Sequence, residues 1–175
     1  MKVLSMLLLI CGFLTAEGCC MFKTKANANA DVKPAAVNAE ISKQSAELSK
    51  VAETTQTENG IVVKLKGDVL FEKGKTTLSA AAIENIQGIG AVLKNYPKDK
   101  VTVTGHTDNK GKKSSNLKLS EKRAEAVKAE LVKEGVPEAS VTAVGKGDTE
   151  PVAPNDTVEN MAKNRRAELK IEQAQ

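Results

Sequence analysis

The densest apolar stretch of the chain, residues 3–14, follows a short basic start at Met1-Lys2 and is succeeded by small residues. It is too short to cross a bilayer as a helix, which takes ~20 residues, and its flanks predict a signal peptide over residues 1–18. From residue 21 to about 59, large apolar residues are scattered without period among Ala, Asn, Lys, Ser, Thr and Glu. This pattern predicts a tether over 19–59, with no more than a helical turn or two through Ile41 and Leu48. As a flexible coil it would hold a domain roughly 35 Å from an anchor.

Beyond Asn59-Gly60, which marks a turn, the periods sharpen. Residues 61–65 read as a strand, extended or restarted at 69–71 after Gly67. A helix follows: Ser79 is its N-cap, Leu78 and Ile83 are spaced as a hydrophobic staple, and Ala82, Ile86, Ile89 and Leu93 recur at helical spacing up to Tyr96-Pro97. Residues 100–105 alternate as a strand, with Val101 and Val103 on one side and Thr102 and Thr104 on the other. A polar loop over 106–115 leads into a second helix over about 116–134, closed by Gly135 and Pro137. Short strands are predicted at 141–144 and around 166–171, separated by a long loop with Pro151 and Pro154. Alternating strands and helices predict an α/β two-layer sandwich over residues 60–175, a small mixed β-sheet with helices on one face.

Composition narrows the options. A chain of 175 residues suits one domain plus appendages, and with aromatics at 2% the core must be built from Val, Ile, Leu and Ala. The net charge of +4 is mild and Lys and Glu are interleaved, so no basic stripe for nucleic acid is present. The three cysteines, Cys11, Cys19 and Cys20, all precede the domain and cannot staple it. Ala16-Glu17-Gly18-Cys19 resembles a bacterial lipobox, although Ala16 stands where Leu is preferred and Glu17 where a small residue is usual. The resemblance implies lipid attachment at Cys19 and a lipid-anchored protein on the periplasmic face of a cell outer membrane. The alternative is plain secretory cleavage that leaves a vicinal Cys19-Cys20 pair.

The candidate chemistry lies on the second helix. Arg123 falls in the middle of the apolar stripe of Leu119, Val127 and Leu131, with Asn116 one turn before Leu119. Desolvating a guanidinium without an anion costs several kcal/mol, so an internal carboxylate or a ligand must meet it. The nearest candidate is Asp108, at the end of the strand that feeds this helix, where α/β sheets commonly bind ligands. His106 is the lone histidine and lacks metal-ligand spacing with any neighbour, so neither a metal nor a cofactor is expected. Gly145-Lys146-Gly147 lacks the features of a phosphate loop and reads as a turn.

Gly105-His106-Thr107-Asp108-Asn109, Gly111, Asn116, Leu119-Ser120 and Arg123-Ala124 spell T-D-N-x-G-x-x-x-x-N-x-x-L-S-x-x-R-A. The pattern continues through Gly145-x-Gly147, Pro151, Asn155-x-Thr157 and Asn164-Arg165-Arg166. Residues 61–171 thereby resemble the OmpA-like C-terminal domain family. The resemblance implies a β-α-β-α-β-β fold that binds peptidoglycan without catalysis, gripping the diaminopimelate side chain between Asp108 and Arg123. It further implies Asn116 as a supporting group and Arg165 or Arg166 as a contact at the far wall. The expected partners are peptidoglycan, an outer membrane through the lipid, and other envelope proteins. A Tol–Pal-type lipoprotein or an envelope assembly factor that uses the domain for localisation is the alternative; the peptidoglycan-associated lipoproteins share the layout, but their loop usually reads Gly-His-Ala-Asp-Glu. A peptidoglycan hydrolase would need paired carboxylates or zinc, and the matched motif offers Asp108 no partner carboxylate.

Overall fold

The computed structural model describes residues 34–71 and 75–173. The expected signal peptide, Cys19 and the first part of the expected tether lie outside the described residues. The described fold is already under way at Pro34, well ahead of the boundary at 60 that composition suggests. Helix α1 (Pro34–Leu48) and strand β1 (Glu53–Thr57) occupy what reads as linker. Two large apolar residues suffice to dock α1: Ile41 and Leu48, two turns apart, both lie in the hydrophobic core. Between them Gln44 is buried, donating from Nε2 to Asp99 Oδ2 at 2.9 Å and accepting at Oε1 from Gln173 Nε2 at 3.3 Å. A polar anchor of this kind leaves no apolar stripe in the sequence, which is why the segment reads as a tether.

Strand β1 turns through Glu58-Asn59 into β2 (Gly60–Lys66), pairing antiparallel with Thr57 opposite Gly60. The expected strand restart at 69–71 is instead one helical turn, α2 (Gly67–Leu70), after which Phe71 makes a single bridge to Leu78. Helix α3 (Ala80–Leu93) begins as its cap predicts, with Ser79 Oγ accepting from the Ala82 amide at 3.1 Å. Strand β3 (Lys100–His106), helix α4 (Lys113–Lys133) and strand β4 (Val141–Gly147) form a parallel β-α-β unit. A helix that the expected long loop conceals, α5 (Val158–Asn164), is capped by Thr157 Oγ1 on the Asn160 amide and precedes β5 (Arg166–Glu172). The sheet order is β1-β2-β5-β3-β4, antiparallel except between β3 and β4.

One face of the sheet, carrying Ile61, Val63, Val101, Val103, Leu169 and Ile171, shares a core with Leu48, Ile86, Ile89, Val127 and Leu131 of the helices. The two-layer α/β sandwich is therefore as expected, extended by α1 and β1. On α4 the buried stripe is Asn116, Ser120, Arg123, Ala124, Val127 and Leu131, while Leu119 is only half-buried. The shift follows from close contact with β3 and β4. A Cβ at Gly105 would strike the Ser120 carbonyl oxygen, and one at Gly145 would lie 2.6 Å from the Glu121 amide nitrogen. Gly145 and Gly147 are thus strand residues that admit a helix, in place of the expected turn.

Truncating Leu48 to Ala should lower the unfolding free energy by about 2–5 kcal/mol, as cavities in a closed core do. Urea midpoints measured by circular dichroism check this, and a loss under about 0.5 kcal/mol would return α1 to the role of a loose tether.

Candidate functional site

Strand β3 delivers Asp108 to the head of α4, and α4 carries Asn116 and Arg123 on its buried face. Asn116 Nδ2 donates to the Asp108 carbonyl at 3.2 Å, so the side chain holds the loop backbone, while Asp108 Oδ1 accepts from the Lys110 amide at 3.1 Å. The ion-pair partner of Asp108 is Arg165: Nη1 donates to Asp108 Oδ2 at 2.9 Å. The same guanidinium turns its Nε and Nη2 edge to Asp68 of α2, donating to both carboxylate oxygens at 2.8 Å. Arg165 therefore lies between two carboxylates. The hydrogen bonds from Arg165 hold the Asp68 carboxyl below its usual range, and the two carboxylates make the guanidinium still harder to deprotonate.

Arg123 is 8% exposed, and among the described residues no carboxylate lies within ion-pair distance of it. Its Nε and Nη2 donate to the Lys75 carbonyl, each at 3.2 Å, and the guanidinium lies 4.9 Å from the centre of the Phe71 ring. A carbonyl dipole and an aromatic face compensate a desolvated cation only in part. Burial pulls its pKa below the ordinary value, and the repulsion of Arg165 adds to this, while Asp68 and Asp108 oppose it. The four charged side chains thus form one electrostatic cluster at the end of the sheet.

The expected set is brought together in part. Asp108, Asn116, Arg123 and Arg165 converge. Arg166 does not: it precedes core-facing Ala167 on β5, points to the opposite face, and bonds Glu168 Oε1 at 2.7 Å and the Glu150 carbonyl at 3.3 Å. Residues that sequence reasoning missed are Asp68, whose only signal was its place in a turn after Gly67, and Asn164. Buried Asn164 accepts from the Val152 and Ala153 amides at 2.9 and 3.0 Å and donates to Asn155 Oδ1 at 2.9 Å. Asn155 Oδ1 in turn accepts from the Asn109 amide at 3.4 Å, which ties the end of α5 to the Asp108 loop. Both asparagines stand in the matched pattern, as Asn155-x-Thr157 and Asn164-Arg165-Arg166, where no site role was assigned to them. Asp68, outside the matched motif, adds a second carboxylate to the cluster, with Arg165 standing between it and Asp108.

On the sheet face opposite the helices, His106 is 3% exposed and neither ring nitrogen has a hydrogen-bond partner. Burial lowers its pKa below the ordinary 6.5, Arg166 and Lys146 push the same way, and Glu168 and Glu150 oppose them. Among the described residues no group of three or more His, Cys, Asp or Glu is placed to hold a metal ion.

The OmpA family profile matches residues 70–165. The chain is 35% identical over 117 residues to a protein of Escherichia coli (strain K12) called "probable lipoprotein YiaD", an alignment covering 67% of this chain and 53% of that one. The chain thus spans about half the length of that relative. Among solved structures it resembles the cell wall anchor of the T6SS from Pseudomonas aeruginosa, with a TM-score of 0.67 and 29% identity, over 77% of this chain and 97% of that one. It also resembles the peptidoglycan-associated lipoprotein from Burkholderia pseudomallei, with a TM-score of 0.57 and 31% identity, over 62% of this chain and 89% of that one.

The buried histidine makes stability depend on pH. Because folded His106 titrates below 6.5, the unfolded chain binds the extra proton between the folded value and 6.5. The stability it supports is complete above pH 6.5 and is lost as pH falls through the folded value. Urea midpoints should therefore drop between about pH 7.5 and pH 5, above the range where most carboxylates titrate, and His106→Phe should flatten that slope. Equal slopes in the two proteins would show that His106 is not the group responsible.

Proposed function

The chain belongs to the OmpA family, and from that premise we propose that it is a non-catalytic anchor that binds the peptide stem of peptidoglycan. The observation that carries the reading is a buried guanidinium, Arg123, without a carboxylate partner among the described residues, in the electrostatic reach of a carboxylate, Asp108, that pairs with Arg165. A diaminopimelate side chain ends in an ammonium and a carboxylate on one carbon. Asp108 is the acceptor for the ammonium and Arg123 the donor for the carboxylate, each a charge-assisted hydrogen bond in a partly desolvated site. Asn116 holds the Asp108 loop in place, Arg165 sets the orientation of the carboxylate, and Arg166 takes no part. The descriptions "cell wall anchor" and "peptidoglycan-associated" attached to the two similar structures support this ligand class.

Hydrolysis is disfavoured by the same geometry. Glycosidic cleavage by paired carboxylates needs one protonated acid and a gap for the sugar or water between the two groups. Asp68 and Asp108 are instead both tied to the guanidinium that fills the space between them.

The membrane end of the proposal rests on the Gly18-Cys19 junction after a short apolar run and on the lipoprotein description of the E. coli relative. A lipid on Cys19 would fasten the chain to an outer membrane. Cells grown with labelled palmitate should label the wild type, and Cys19→Ser should abolish the label and leave the signal peptide uncleaved. A mature N-terminus with a free amine at or beyond Cys20 would contradict the anchor.

The ligand site is tested by sedimentation with insoluble peptidoglycan sacculi. The wild type should co-sediment and release no soluble muropeptides, and Arg166→Ala should behave like it. Arg123→Ala should lose binding at least about tenfold while costing only about 1–2 kcal/mol of stability, the scale of the cation–π contact and hydrogen bonds it gives up. Wild-type sedimentation by a folded Arg123→Ala protein would refute the site.

A further inference from the structure

Asp68 lies in the charged cluster yet outside the Asp108–Asn116–Arg123 motif, and the backbone puts it there by construction. The Gly67 amide donates to the Arg165 carbonyl at 2.8 Å, and a Cβ at Gly67 would lie 2.5 Å from that oxygen, so α2 starts directly against Arg165. One residue later, Asp68 engages the Arg165 side chain with both oxygens at 2.8 Å. Two consequences follow. The Nε and Nη2 edge of Arg165, the edge best shaped for a bidentate carboxylate, is closed to an incoming acid. The charge of Arg165 is also shared between two carboxylates, so Asp108, to which Arg165 donates through Nη1 alone, keeps negative charge to offer.

Among the described residues of the cluster, Asp68 and Asp108 balance Arg123 and Arg165, and a zwitterionic head meets four charges that sum to zero. Without it, two guanidiniums face one carboxylate, and the cluster favours a plain anion over a group that also carries an ammonium.

We propose that Asp68 is the specificity-determining residue that makes this site select a head group bearing an ammonium and a carboxylate together over one bearing a carboxylate alone. The proposal rests on the peptidoglycan reading above and adds a discrimination that this reading does not contain. The Asp68 side chain is 56% exposed, so the effect is modest, about two- to fivefold.

The test compares full-length wild type, Asp68→Asn, Asp68→Glu and Arg123→Ala on native sacculi and on sacculi whose free amino groups have been acetylated with acetic anhydride. Wild type should prefer native sacculi. Asp68→Asn should shrink the native-to-acetylated ratio about two- to fivefold, chiefly by weaker binding to the native form, with an unchanged urea midpoint. Asp68→Glu, which keeps the charge, should keep most of the ratio. An unchanged ratio in Asp68→Asn, or equal loss on both substrates, overturns the selectivity role, the second outcome assigning Asp68 to positioning Arg165. Failure of the wild type to bind native sacculi, or full binding by Arg123→Ala, overturns the peptidoglycan reading itself and is distinct from either.

Discussion

Helix α4 lies so close on strands β3 and β4 that only glycine fits beneath it, and this contact sets the positions of the charged groups. Ser120 is its centre. The Ser120 carbonyl occupies the space of a Gly105 side chain, and Ser120 Oγ accepts from the Gly147 amide at 2.9 Å while donating to the Leu117 carbonyl at 2.8 Å. A buried hydroxyl that both donates and accepts locks rotation as well as distance. Asn116 lies one turn before Ser120 and Arg123 one turn after it on the same buried face. The spacing between the loop of Asp108 and the guanidinium of Arg123 is therefore set by backbone contact. Long, rotatable side chains alone would leave it loose, and a charged site needs sub-ångström placement.

The cluster is built with more compensation at one cation than at the other. Arg165 has two carboxylates, whereas Arg123 has a carbonyl and a ring. An arrangement optimised for stability alone would pair each cation with an anion, because a buried guanidinium without one is a cost to the fold. Leaving Arg123 short of a counter-charge while over-supplying Arg165 is the asymmetry expected where an outside carboxylate completes the set. The Asn109–Asn155–Asn164 chain supports the same corner from the side, joining the Asp108 loop to the residue just before Arg165.

The N-terminal part of the folded unit gives the anchor reading a mechanical aspect. Any pull transmitted from an N-terminal lipid would reach α1 first, and α1 is held by Ile41, Leu48 and the Gln44 link to Asp99 and Gln173. Strand β1 then extends the sheet beside β2, so load would enter through a hydrogen-bonded edge rather than through a loose chain end. The charged cluster sits with α2, β3, α4 and the end of α5, elements that α1 does not supply.

Much of the fold was legible because its signals are local. The staple and cap at Leu78, Ser79 and Ile83, the alternation of Val101 and Val103, and the glycine and proline after α4 each act within a few residues. Asp108, Asn116 and Arg123 were legible through fixed spacing on one strand, loop and helix. The sequence alone also determined that Arg123 must find compensation, since a cation inside an apolar stripe demands it. Only the tertiary structure decided what supplies that compensation, that Arg165 and not Arg166 belongs to the cluster, and that Asp68 joins it from 97 residues away. It likewise decided that residues 34–57 fold, because α1 is held by one buried amide and two apolar side chains. The physical reason is the same in each case. Periodicity and spacing record what a residue does along its own element, whereas charge compensation and polar anchoring depend on distances between elements that only the packed chain defines.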